Sequence, residues 1–161
     1  MDELEPIKDT TVNGTKFQLC RLSAVDGSFL LMALMGHLQK AISANPIQDA
    51  QQPPPETNDE QSASTLIQFM LMNLDEQTFR AVQRKALSVV CRYEKVGDTL
   101  MPVPILMVNG MFSYPQLNKD ISTVLTLTSQ SLFANLSPFL SKSMLLFLMA
   151  GAATNQSNSL P

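Results

Sequence analysis

Apolar and polar positions change rhythm at Ser23. Before it, "KFQL" alternates, with Phe17 and Leu19 on one side and Lys16 and Gln18 on the other, which is the period of a half-buried strand. Asn13-Gly14 precedes it, the preferred pair for a two-residue turn with positive φ, so "PIKDTTVNGTKFQLCRL" predicts a β-hairpin. After Ser23 the apolar residues come at three- and four-residue spacing: Leu31, Leu34, Met35, Leu38, Ala41 and Ile42. Ser23 caps this helix, over residues 23–42, and Asp26 favours its positive end. Phe29, Leu30 and Met32 widen its apolar stripe beyond one face, so it is expected to be covered on more than one side.

Further along, residues 43–62 are rich in proline, glutamine and acid, and read as a flexible linker. A second helix follows over residues 64–74. A third, "EQTFRAVQRKALSVV", is capped by Asp75 and turns Phe79, Val82, Ala86 and Val90 inward. Residues 91–114 are punctuated by proline and glycine and predict irregular or short extended structure, with a turn at Asn109-Gly110. A fourth helix carries Leu117, Ile121, Val124, Leu125, Leu132 and Leu136. Ser137-Pro138 starts a fifth, "PFLSKSMLLFLMA". The expected fold is therefore mainly α: a single small helical domain over residues 1–150 with an N-terminal hairpin, then a disordered tail over residues 151–161.

Chemistry is sparse in this pattern. The GxxxxGK[ST] and GxGxxG phosphate loops are absent. The one histidine, His37, completes neither a zinc site nor a triad with anything near it in sequence. Carboxylates gather in the N-terminal arm and the linker, where no rigid shell would tune them. No catalytic residue, cofactor or metal is expected. A net charge of −3 argues against general nucleic-acid binding, and Arg80, Arg84, Lys85, Arg92 and Lys95 read as a solvated helix face. Cys20 and Cys91 lie in no ligand spacing and read as reduced, half-buried thiols of a cytosolic protein. Residues 144–153 are too few to span a bilayer.

Two compositional facts favour a binding protein. Charged residues make up 16% of the chain, against about 25% in an ordinary globular protein. Ten methionines include Met32, Met35, Met70, Met72, Met144 and Met149 within expected helices. Flexible, polarizable methionines suit surfaces that re-pack around a partner. Self-association is also expected, in a form that could be open and head-to-tail.

Two segments together resemble a known family. "KFQLCRLSAVDGSFLLMALMGHL" resembles the opening of the tail assembly chaperones of long-tailed phages, where a strand, an Arg-Leu pair and an "a-x-d-g" step lead into an apolar helix. "MFSYPQLNKDISTVLTLTSQSLFANLSPFL" is similar to their closing segment, with Asn135 and Phe139 at its asparagine and phenylalanine. The resemblance covers most of residues 16–140. It implies a non-enzymatic protein of the infected host's cytoplasm that coats the long helical tape measure protein, recruits tail tube subunits and is absent from the finished virion. Such proteins are often made in two lengths by ribosomal frameshifting. The residues expected to meet the partner are Phe29, Met32, Met35, Phe139, Leu145 and Met149. A structural tail or head completion subunit, or a small membrane-associated protein, are the alternatives.

Overall fold

The computed structural model describes residues 4–44 and 59–140. Two hairpins join into one antiparallel sheet of order β1-β2-β3-β4, with β1 Pro6–Val12, β2 Thr15–Cys20, β3 Val90–Val96 and β4 Thr99–Pro104. Four helices complete the fold: α1 Ala24–Ala44, α2 Asp59–Met72, α3 Glu76–Ser88 and α4 Ile121–Leu136. The architecture is α+β, which corrects the mainly α expectation. Most of the second hairpin falls in the stretch expected as irregular or short extended structure.

Its prolines explain the error. Pro102 and Pro104 argue against a central strand, yet β4 lies at the sheet edge, where a missing N–H costs no ladder bond. Val96 pairs with Thr99 around a two-residue loop led by Gly97 at φ 64°, a conformation that favours glycine. The same competition shortens α3. It ends at Ser88, and the β-branched Val89-Val90 pair passes into the sheet, so Val90 is a strand residue rather than part of the helix face.

The local signals at the other turns hold. Asn13 and Gly14 both have positive φ, 48° and 77°. Asn13 Nδ2 also donates to Thr123 Oγ1 at 2.9 Å, which ties the hairpin turn to the start of α4. Gly110, at φ 81°, closes the turn from Met107, its N–H donating to the Met107 carbonyl at 2.8 Å. Asp75 and Asp120 cap α3 and α4 by accepting from the backbone N–H of Thr78 and Thr123. Helical structure takes in residues 43–44 and 59–62, at the two ends of the stretch expected as linker.

Two apolar clusters form the core. Phe17, Leu19 and Val90 pack under Leu127 of α4, with Ile105 and Leu117 beside them. Leu30, Leu34 and Leu38 of α1 pack with Ile67 and Met70 of α2, Val82 and Ala86 of α3, and Leu132 and Leu136 of α4. Buried hydroxyls keep the α3–α4 contact close: Ser131 Oγ donates to the Ala86 carbonyl at 2.6 Å. The opposite sheet face is polar. There Lys16 and Tyr93 Oη converge on Asp9, at 2.8 and 3.0 Å, and Gln18 donates to Tyr93 Oη.

Candidate functional site: an apolar surface on the first helix

Successive residues of a helix turn by about 100°. Leu30, Leu34 and Leu38 therefore share one arc of α1, and all three are fully buried. Val25, Phe29 and Met32 share a second arc almost opposite, and they remain 79%, 46% and 71% exposed. The helix is thus apolar on both sides, and the outer stripe faces solvent. Met35 falls between the arcs and packs partly against the core.

A groove opens along a third arc of α1, between the other two. Ala24, Gly27, Ser28 and Leu31 of α1 form one wall; Ala134, Asn135, Leu136, Pro138 and Phe139, at and beyond the end of α4, form the other. Its volume is about 680 Å³. Phe139 stands at the lip, 56% exposed, beside Pro138 in a short 3-10 turn, Ser137–Phe139. Small side chains at 24, 27 and 28 leave the floor open, so an apolar side chain or a helix face can enter without displacing the protein's own residues.

The junction that holds this surface depends on Asn135. Its Oδ1 accepts from the Leu22 N–H at 2.8 Å, and its Nδ2 donates to the Cys20 and Ser131 carbonyls at 3.1 and 3.0 Å. The amide thus pairs with the chain leaving β2 as another strand would, and it fixes where α1 begins. Ser23 then caps α1, its Oγ accepting from the Asp26 N–H at 3.1 Å. Asp26 pairs with Lys85 of α3, and that ammonium also lies 5.7 Å from the Phe29 ring. The Lys85 contact holds the Asp26 carboxyl below its ordinary value, against a smaller opposing effect of burial.

Four of the six residues expected to meet a partner fall on described parts of the chain. Phe29 and Met32 lie on the outer stripe and Phe139 on the groove lip, while Met35 is half-buried and packs partly against the core. Leu145 and Met149 lie outside the described residues. Val25 belongs to the stripe and was missed. Its place four residues before Phe29 was the available signal.

Apolar side chains are exposed elsewhere too, among them Leu100 and Met101 on β4 and Val108 and Met111 in the loop after it. Among the described residues, no group of three or more His, Cys, Asp and Glu could hold a metal. His37 lies 3.6 Å from Asp75. Cys20 and Cys91 are free and fully buried rather than half-buried, and burial pushes the Cys91 thiol up to about 12. The basic residues of α3 and β3 are largely engaged within the fold: Arg80 with Glu76, Lys85 with Asp26, and Arg92 stacked on Tyr114. No described helix is long and apolar enough to cross a membrane.

A family model described as phage tail assembly chaperone protein, TAC, matches residues 13–146. The chain belongs to that family. No curated protein and no solved structure matches it. The match spans β2 to β4, all four helices and both walls of the groove, so the surface on α1 is part of the family's body and not an appendage. A role in phage tail assembly follows from the membership.

Proposed function

We propose that this chaperone binds the tape measure protein through the outer face of α1 and the groove that adjoins it, and that it recruits tail tube subunits to the complex. The observation that carries the reading is the second apolar arc of α1. Val25, Phe29 and Met32 expose a continuous apolar stripe that the domain does not use for its own core. A long helical client offers many similar apolar helix faces, and a surface that carries Phe29, Met32 and, at the groove, Phe139 can re-pack against each of them. Phe29, Met32, Met35 and Phe139 make the contact, joined by Leu145 and Met149 from the segment after the groove.

On this reading the protein carries out no catalysis, works in the host cytoplasm and leaves before the virion is complete. Co-expression with the tape measure protein tests the binding: the wild-type chain co-purifies with it, and a folded Met32→Asp chain does not. Analysis of purified virions separates this function from that of a structural subunit. A chaperone is missing from them, and a tail or head completion subunit is retained.

A further inference from the structure

The polar side chains along the groove beside α1 are already engaged within the protein. The Asn135 amide serves Leu22, Cys20 and Ser131, Ser23 Oγ accepts from the Asp26 N–H, and Ser28 Oγ donates to the Ala24 carbonyl at 2.7 Å. Arg21 pairs with Glu5. What remains on offer is the apolar surface of Ala24, Gly27, Leu31, Leu136, Pro138 and Phe139. A polar segment would lose its water there and gain no hydrogen bond in return. The groove therefore selects an apolar occupant.

The chain supplies such a segment at the groove's own edge. Pro138 and Phe139 line the groove, and Leu140 beside them is buried. Residues 144–149 are six consecutive apolar residues, and Lys142 is the one charged side chain in residues 141–161. Met144 comes four residues after Leu140, and four residues of chain reach at most about 14 Å. The α1 wall from Ala24 to Leu31 is about 10 Å long, so the run can lie along it. The family match extends to residue 146, so the start of this run belongs to the same shared body as the groove. A tether this short gives an effective concentration of about millimolar order, which a second copy at micromolar concentration does not reach.

We propose that in the client-free protein residues 144–149 fill the groove of their own chain, and that the tape measure protein gains the groove only by displacing them. The consequence for the client rests on the reading of the groove given above; the docking itself does not. The outer arc of α1, with Val25, Phe29 and Met32, lies on another side of the helix and stays open. A client helix meets that arc first, and exchange at the groove then frees Leu145 and Met149 to close on it. Affinity for any groove ligand is lowered by the fraction of chains in which the groove is open, which guards it against chance apolar partners.

Methionine-methyl NMR of the full chain, with no client present, tests the docking. Contacts from the Met144 or Met149 methyl to Ala24 or Leu31 are expected. In a mixture of labelled and unlabelled copies they should be missing from the spectrum that selects contacts between copies. Gly27→Leu fills the groove from the α1 side, where nothing lies within 4 Å of the position a Cβ would take. In that variant the contacts should vanish, while the signal of the buried Met70 and the circular dichroism spectrum stay as in wild type. A wild type without these contacts overturns the proposal. Contacts found only between copies overturn it too, as do contacts that persist unchanged in folded Gly27→Leu. Co-purification with the tape measure protein is read separately, so a failure of docking and a failure of client binding are told apart.

Discussion

Replacing Asn135 by leucine should destabilise the fold out of proportion to the residue's half-buried position. The side chain fills similar volume, but three hydrogen bonds are lost: one from the Leu22 N–H and two to the Cys20 and Ser131 carbonyls. The Ser131 carbonyl can keep its partner within α4. The Leu22 N–H and the Cys20 carbonyl have no replacement at the junction between β2 and α1. Each stranded group costs about 1–3 kcal/mol, and the partial exposure of Asn135 places the total near the lower end, about 2–3 kcal/mol. For a chain of this length that corresponds to a fall in Tm of roughly 4–12 °C. Urea and thermal unfolding followed by circular dichroism measure it. Asn135→Asp refines the test, because it keeps the acceptor for Leu22 but turns a carboxylate towards two carbonyl oxygens. Its folded pKa is then raised, so relative to wild type it is best tolerated below about pH 4 and loses stability as pH rises. An Asn135→Leu protein as stable as wild type would refute the role given to this amide.

Three other outcomes follow from the same structure. Asp9, Asp26, Asp75 and Asp120 are held below the ordinary value of 3.8, by Lys16, by Lys85, and by hydrogen bonds from Thr78 and Thr123 respectively. Depressed folded values stabilise the protein above that value, so stability should be level from about pH 7 to 5 and fall below about pH 4. Asp75→Asn should flatten the lower part of that curve, and an unchanged curve would count against the cap. Cys20 and Cys91 should react with a thiol reagent only as the protein unfolds, since both are buried and their pKa values are raised; fast labelling of the native protein would contradict their placement. Leu34→Ala should cost about 2–5 kcal/mol because the side chain is fully buried on the inner arc of α1, whereas Val25→Ala on the outer arc should change the urea midpoint little.

Much of this fold was legible because its signals are local. The Asn13-Gly14 turn, the Ser23 and Asp75 caps and the spacing of Leu34 and Leu38 each act within a few residues. The second hairpin was not legible, because the tolerance of Pro102 and Pro104 depends on β4 having no neighbour on its far side, which is a property of the whole sheet. Val89-Val90 was ambiguous for the same reason: helix spacing and strand propensity agree on an apolar residue there, and only the pairing with Leu19 decides. For the site, an over-apolar first helix was readable, and Phe29 and Met32, named from it, are exposed, as is Phe139, named from the C-terminal segment. The division of α1 into a buried and an exposed arc was not readable, since Met35 and Met32 look alike in sequence and differ only in which neighbours reach them. Asn135 stood out by resemblance alone. Its hydrogen bonds reach residues more than a hundred positions away, which no sequence window contains.

The central claim is that the outer arc of α1 holds the client, and paired aspartate substitutions test it most directly. Met32→Asp places a charge where 71% of the residue's surface meets solvent, and Leu30→Asp places one where none does. The account predicts that Met32→Asp keeps the wild-type circular dichroism spectrum and Tm within a few degrees but no longer co-purifies with the tape measure protein. Leu30→Asp should instead unfold, since an unpaired buried carboxylate costs several kcal/mol. A folded Met32→Asp protein that still holds the client at the wild-type level would contradict the account.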